Sequence, residues 1–286
     1  MAIIEPMGLA LITYPRINPV IFRLGPFAVR WYGVAYLTGF AIGYAVLRQM
    51  IRRGTLRLAP DALGDLVAWM AGGVIIGGRA GWWLVYHRSM GAIEPWWEPV
   101  AIWHGGMSFH GGLIGVFLAL LIWSWRNRVP FLNLADCLAL VTPFGLFFGR
   151  IANFINGELV GRKVEASWVS WGMIFPGDNF ARHPSQLYEA FLEGPLMLAI
   201  LWAVWKWKTP AEGRIGALFV ILYGVFRFAV EFTREPDSQL GFIAFGWLTM
   251  GQLLSVALTG AGVVLWFVAA RSRGPSRGKG FPLDGA

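Results

Sequence analysis

The chain has 286 residues, of which 56% are hydrophobic and only 14% charged, with a formal net charge of +8. Soluble domains carry roughly 25% charged residues, so this composition excludes an ordinary soluble globular protein. The positive balance does not indicate DNA or RNA, because no soluble basic surface with interleaved aromatics accompanies it. In a membrane chain it first reflects the positive-inside rule.

Several apolar runs approach the ~20 residues needed to cross a bilayer. In chain order the predicted spans are residues 27–47, 62–86, 108–125, 133–153, 186–205, 214–233 and 247–270. The expected fold is all-α, a polytopic membrane protein of about seven transmembrane helices. Residues 1–270 read as a single integral membrane domain. Residues 271–286 read as a basic, disordered cytoplasmic tail, rich in Gly, Arg and Pro. The 16 Trp and 21 Phe suit aromatic belts at both interfaces. No basic segment followed by a cleavage site opens the chain, so the first span is expected to act as an uncleaved insertion signal. The single cysteine, Cys137, lies in an apolar run and reads as a buried core residue.

The linkers carry an orientation signal. Arg48, Arg52, Arg53 and Arg57 form one basic cluster; Arg126 and Arg128, then Lys206, Lys208 and Arg214, then Arg271, Arg273, Arg277 and Lys279 form the others. They alternate with neutral or acidic loops around 87–100 and 235–246. The positive-inside rule then places the N-terminus outside and the C-terminus in the cytoplasm. Arg150, Arg162, Lys163, Arg182, Arg227 and Arg234 do not fit this pattern. They lie near the outer ends of spans or in the long outer connection of about 156–185, where topology gives no reason for positive charge. An anionic ligand on the outer side would.

Chemistry-bearing residues gather in a few places. Trp31-Tyr32-Gly33 opens the first span, and Tyr32 reads either as a belt residue or as a binding group. Gly105-Gly106-Met107-Ser108-Phe109-His110-Gly111-Gly112 opens the third. Gly111 and Gly115 form a small-xxx-small pair suited to close helix packing. His110 is either an interfacial histidine or a general base. Asp136 reads as a helix-end residue.

The fourth span runs into Gly149-Arg150-Ile151-Ala152-Asn153-Phe154-Ile155-Asn156-Gly157-Glu158-Leu159-Val160-Gly161-Arg162. Lipid does not tolerate such polar groups unless they face protein, water or a ligand. Arg150 offers a planar, permanently charged fork for phosphate. Asn153 and Asn156 can hydrogen-bond ester or hydroxyl oxygens, and Gly157 and Gly161 let the backbone turn. Arg182, His183, Gln186 and Glu189 at the start of the fifth span either brace a site or anchor the helix. In the sixth span Tyr223, Arg227, Glu231 and Arg234 stand at i, i+4, i+8 and i+11. They fall within about 80° of one helix face, along roughly 16 Å of its length. No Cys/His spacing suits a metal, and no phosphate-cradling glycine loop is present. A site without metal or cofactor is therefore expected.

Together these pieces resemble the prolipoprotein diacylglyceryl transferase family. The resemblance rests on Trp31-Tyr32-Gly33, the Gly106–Gly112 run, the Gly149–Arg162 block, Arg182–Glu189, and Tyr223-Gly224 with Arg227, Glu231 and Arg234. It implies a seven-span helical body with a small head-like region on the outer face of the bacterial cytoplasmic (inner) membrane. It also implies a reaction: the diacylglyceryl group of phosphatidylglycerol moves to the lipobox cysteine thiol of a preprolipoprotein signal peptide, a thioether forms and glycerol phosphate leaves. Arg150 and Arg227 would hold the phosphate, and His110 or Glu231 would take the thiol proton. Tyr32, Asn153, Asn156, Glu158, Gly161, Tyr223 and Arg234 would orient lipid or peptide. His104, where the family pattern has other side chains, adds a second titratable histidine. Two rival readings remain: an anionic-solute transporter, or a membrane acyl hydrolase or acyltransferase using Ser108 and His110. Transporters favour internal repeats and polar groups at the bilayer midplane. Ser108 and His110 point to different sides of a helix.

Overall fold

The computed structural model describes residues 12–25, 27–85, 97–165, 169–208, 210–236 and 241–270. The expected basic tail, 271–286, and most of the loop 87–100 lie outside these residues. The fold is mostly helical: α1 (Trp31–Arg52), α2 (Ala62–Val85), α3 (Phe109–Arg126), α4 (Phe131–Asn156), α5 (Ser185–Phe191), α6 (Met197–Lys208), α7 (Arg214–Glu231) and α8 (Met250–Ala269). Among the described residues, five helical segments are long and apolar enough to cross a membrane: α1, α3, α4, the continuous α5–α6 segment Ser185–Lys208, and α8. The chain is thus a polytopic membrane protein. α2 is diluted by Gly64, Gly72, Gly73, Gly77, Gly78 and Gly81 and carries Asp65 and Arg79. α7 carries Arg214, Arg227 and Glu231.

Among the described residues, three two-stranded ribbons join the expected all-α body. β1 (Ile12–Thr13) pairs in parallel with β4 (Met173–Ile174), while β2 (Val20–Leu24) with β3 (Phe27–Arg30), and β5 (Phe242–Ala244) with β6 (Leu248–Thr249), are antiparallel. Strands this short give no readable two-residue alternation.

The chain divides into two compact units. One runs to Leu47 and resumes at Asp136; the other holds Arg48–Ala135. In the second unit, glycines bring α2 and α3 into backbone contact. A Cβ on Gly77 would meet Gly111 and lie 2.7 Å from the Gly115 Cα, and one on Gly81 would lie 2.7 Å from the Gly111 Cα. The small-xxx-small reading of Gly111 and Gly115 therefore describes the packing. Ser108 caps α3, its Oγ accepting from the Gly111 amide at 3.2 Å. Trp123 Nε1 donates to Asp65 at 2.6 Å and ties the far ends of the pair together.

In the first unit Asp136 is buried and is a cap in trans. Its carboxylate accepts from the Gly213 and Gly216 amides, each at 2.8 Å. Gly213, the residue before α7, has φ +88° and no side chain to cap the helix itself. Asp136 supplies the missing acceptor from α4 at the positive end of α7. Cys137 beside it is buried. A small apolar core forms where Tyr14 packs on Phe154 and Phe175. The Tyr14 hydroxyl lies 2.6 Å from the Phe154 carbonyl and 2.8 Å from that of Ile155, at the end of α4.

The glycine seam yields a direct test. Gly77→Leu places four carbons where the α3 backbone already lies, and such overpacking costs about 3 kcal/mol or more when backbone must move. The variant is expected to lower the thermal midpoint in detergent sharply. Gly64→Leu in the same helix, where nothing lies within 4 Å, is expected to leave it nearly unchanged.

Candidate active site

The end of α4 is built by a complete helix-stop motif. Gly157 has φ +67°, its amide donates to the Phe154 carbonyl at 3.0 Å, and the Glu158 amide donates to the Asn153 carbonyl at 3.0 Å. These are the two bonds of a Schellman motif with glycine in the left-handed position. Such motifs usually seal with an apolar contact between the residue after the glycine and the one five earlier. Here those residues are Glu158 and Asn153, and the contact is a hydrogen bond: Asn153 Nδ2 donates to Glu158 at 3.4 Å. Asn156 Nδ2 donates to the other carboxylate oxygen at 3.2 Å. Asn153, Asn156 and Glu158 thus form one polar knot at the end of a membrane helix.

The chain leaving this knot is fixed from two sides. Gln186 Nε2 donates to the Glu158 carbonyl at 2.6 Å and Ser185 to the Leu159 carbonyl at 3.0 Å. Residues 182–189 therefore brace the segment as well as starting a helix. Gly161 then passes between the backbones of His183 and Thr233, where a Cβ would collide with both carbonyl oxygens. Its amide donates to the His183 carbonyl at 3.0 Å, and it pairs with Arg234. Arg162 donates from Nε to the Arg234 carbonyl at 2.6 Å and from a terminal nitrogen to the Glu231 carbonyl at 3.1 Å.

One turn before the knot, Arg150 enters a charge cluster. Its guanidinium lies 2.7 Å from Glu189 and 3.1 Å from Glu193, with side-chain exposures of 17%, 1% and 0%. Glu189 also reaches Arg234 at 2.8 Å and Arg227 at 3.8 Å. Arg227 pairs with Glu231 one turn along α7, and Arg234 lies 3.7 Å from the same carboxylate. Tyr223 is in electrostatic contact with Arg150, Glu193 and Arg227. The predicted stripe of Tyr223, Arg227, Glu231 and Arg234 is real, and Glu189 joins it to Arg150.

Local structure explains how the carboxylates are presented. α5 and α6 are joined by a π-helical turn, Leu192–Leu196, containing Pro195 and a non-helical Gly194. Proline removes a ladder amide and crowds the preceding turn. Gly194 lets the turn approach α4, since a Cβ there would lie 2.8 Å from Phe147. The widened turn carries Glu193 onto Arg150; such π-turns recur at functional sites. Glu231 is held at the start of α8, where Thr249 Oγ1 donates to it at 2.8 Å. Thr249 and Gln252 form the capping box of that helix. A Cβ on Gly251 would lie against the Glu231 carboxylate.

Tyr32 stands 3.3 Å, hydroxyl to hydroxyl, from Tyr36. Tyr36 faces Gly149 and is in electrostatic contact with Arg150 and Glu158. Tyr36 was not among the sequence candidates, although it lies one turn from Tyr32 on the same helix face. Nor was Glu193, although a carboxylate four residues after Glu189 inside an apolar run meets the cost criterion that singled out Arg150.

His110 and His104 belong to the second unit, and the charge cluster belongs to the first. The His110 side chain is exposed on the first turn of α3, edge-on to Phe109 at 5.6 Å. The loop before it is clamped by buried Arg79. That guanidinium donates to the carbonyls of Glu98, Pro99, Gly105 and Gly106 and to the Glu98 carboxylate at 3.0 Å. His104 Nδ1 lies 2.9 Å from Glu98. Burial opposes the Glu98 charge, but hydrogen bonds from His104 and Arg79 outweigh it and hold the carboxyl below its usual range. Ser108 uses its hydroxyl as a helix cap, which leaves the Ser108–His110 pairing without support.

The family model for prolipoprotein diacylglyceryl transferase matches residues 19–268. The chain belongs to the prolipoprotein diacylglyceryl transferase family. Three relatives, each named phosphatidylglycerol–prolipoprotein diacylglyceryl transferase, illustrate the likeness. The protein from Sinorhizobium medicae is 48% identical over 92% of this chain and 96% of its own. That from Nitratidesulfovibrio vulgaris strain Miyazaki F is 47% identical over 94% and 98%, and that from Chromohalobacter salexigens 49% over 89% and 93%. Within this family frame, the matched region contains both the α4–α7 cluster and the Arg79-clamped loop.

His183 gives a pH test of the packing around Gly161. Burial pushes its imidazole below the usual histidine range. In the unfolded chain it takes a proton near pH ~6.5, while the folded protein keeps it neutral to lower pH. Its contribution is therefore whole above about pH 6.5 and shrinks as pH falls below it. The thermal midpoint of wild type is expected to drop between pH 7 and 5, and that of His183→Gln to drop less.

Proposed function

We propose that the protein transfers the diacylglyceryl group of phosphatidylglycerol to the lipobox cysteine thiol of a preprolipoprotein at the outer face of the bacterial cytoplasmic membrane. The observation that carries this reading is the buried cluster that joins Arg150 to Arg227 through Glu189. Family membership and the relatives' names support it.

On this reading all seven long helical segments cross the bilayer, with the N-terminus outside and the C-terminus in the cytoplasm. Alternation of basic and neutral linkers supports that orientation. It puts the end of α4, the end of α7 and the start of α8 toward the outer face. In the reaction the cysteine sulfur attacks the glyceryl carbon that bears the phosphate. A C–S bond forms, the C–O bond breaks, and glycerol phosphate takes the electron pair. Arg150 and Arg227 hold the phosphate and stabilise its growing charge, as fixed cations in a water-poor site do. Asn153, Asn156 and Glu158 orient lipid hydroxyls or the peptide, while Tyr32 and Tyr223 line the approach. Gly161 fixes the turn between them, and Arg234 holds Glu189 in place.

The thiol reacts as thiolate, with a pKa near ~8.5 when unperturbed, so a base assists. His110, exposed at the head of a rigidly held loop, is assigned that role. His104 is committed to Glu98. Glu231 is committed to two arginines and Thr249, and is assigned to hold Arg227.

The test is direct. Purified protein is incubated with phosphatidylglycerol and a lipobox peptide, and the peptide is weighed, with a Cys→Ser peptide as control. Arg150→Ala and Arg227→Ala are each expected to lower turnover by about 10²–10³-fold, the usual effect of removing one charge-stabilising donor. Cys137→Ala is expected to remain active. Ser108→Ala is expected to lose only about 1 kcal/mol of stability as a lost cap; loss of all activity there would favour the serine mechanism instead. No mass gain on the cysteine peptide from folded wild-type protein overturns the assignment.

A further inference from the structure

Counted by formal charge, the cluster is balanced before any ligand arrives. Arg150, Arg227 and Arg234 face Glu189, Glu193 and Glu231. Widening the circle adds Arg162 and Glu158 and keeps the balance. A phospholipid phosphate bound there would bring one uncompensated negative charge into a site where two carboxylates are essentially inaccessible to water. An uncompensated charge in such surroundings is costly, and a titratable neighbour takes up or releases a proton to relieve it.

The three carboxylates are not equivalent. Glu189 lies within 4 Å of three arginines, and Glu231 contacts two arginines and Thr249. Among the described residues, Glu193 has a hydrogen bond and ion pair from Arg150 alone, through Oε2 at 3.1 Å. Its Oε1 is buried and has no hydrogen-bond partner among the described residues. When Arg150 turns to a phosphate, the Glu193 carboxylate therefore loses the largest share of its support. The groups that face it are Arg150 on α4, Glu189 on α5, and Tyr223 and Arg227 on α7. Of these only Glu189 is another carboxylate, and it keeps Arg234.

We infer that Glu193 is the proton-accepting counter-ion of the phosphate site: it takes up one proton from solvent when the phosphate of phosphatidylglycerol engages Arg150, and returns it when glycerol phosphate leaves. The only bond that forms and later breaks in this step is the carboxyl O–H, with solvent as proton donor and acceptor; a carboxylate becomes a carboxylic acid and back. Glu193 touches Arg150 and not the lipid, so it is a positioning residue. The inference rests on the headgroup site proposed above.

The experiment is calorimetric titration of the full-length protein in detergent with short-chain phosphatidylglycerol. It is repeated in buffers of different ionisation enthalpy, so that the slope counts protons. Wild type is expected to take up about one proton per lipid near neutral pH, and its affinity to weaken by up to about tenfold per pH unit as pH rises. Glu193→Gln, already neutral, is expected to bind without proton uptake and with little pH dependence, whereas Glu189→Gln still takes up the proton. A wild-type count of zero, or an unchanged count in Glu193→Gln, overturns the inference. Arg150→Gln separates the two readings: if it binds lipid as wild type does, the headgroup site itself is wrong. If it loses binding while wild type takes up no proton, only the role of Glu193 fails. Should Glu193→Gln not fold, the infrared difference spectrum of wild type decides. A protonated-carboxyl band appearing on lipid addition supports the inference, and its absence overturns it.

Discussion

Six ionisable side chains share one cluster in an otherwise apolar protein, and much of the local architecture serves to keep them paired. Removing an ion from water costs several kcal/mol even after relaxation, and a partner offsets that only in good geometry. The geometry here comes from irregularities. A π-helical turn around Pro195 and Gly194 delivers Glu193, and Gly251 leaves room for the Glu231 carboxylate beside Thr249. Arg162 reaches carbonyls at the end of α7, where the helix has acceptors to spare. Each irregularity would be a defect in a helix whose only task was to span lipid.

Glycine plays two different parts in this framework. Gly77, Gly81, Gly111 and Gly115 are helical and matter because nothing larger fits between α2 and α3. Gly157 matters for its backbone, since φ +67° ends α4 where Asn153 can meet Glu158. Close packing and the Arg79 clamp hold the loop that leads to His110 by backbone contacts.

Membrane class, helix positions and the polar stripe of α7 were legible because each follows from a periodic or compositional signal. Tyr223, Arg227, Glu231 and Arg234 declared themselves by contrast with Phe, Val and Leu. Arg150 did so by arriving at the end of an apolar run. What the sequence hid depends on partners distant in the chain. Asp136 reads as a helix-end residue of α4, yet it caps α7, some eighty residues away. Glu193 sits inside the predicted uninterrupted span 186–205; only the π-helical turn at Gly194-Pro195 and its close approach to Phe147 show that a carboxylate is aimed at Arg150. The ribbons β1 to β6 escaped notice because two to five residues carry no pattern.

A balanced cluster is a better phosphate site than bare arginines would be. Three unpaired guanidinium groups in a low-dielectric pocket would be strained without ligand and would grip any anion, product included. Pairing them with carboxylates lowers ground-state affinity and keeps the cations in place. Catalysis gains only from interactions that strengthen as the reaction proceeds. In the proposed transfer the phosphate goes from a diester with one charge toward a monoester able to carry two. Arginines already positioned and partly engaged can follow that growth with small movements, without the reorganisation that water would require. The same pairing favours release, because Glu189, Glu193 and Glu231 are at hand to reclaim the arginines as the product departs.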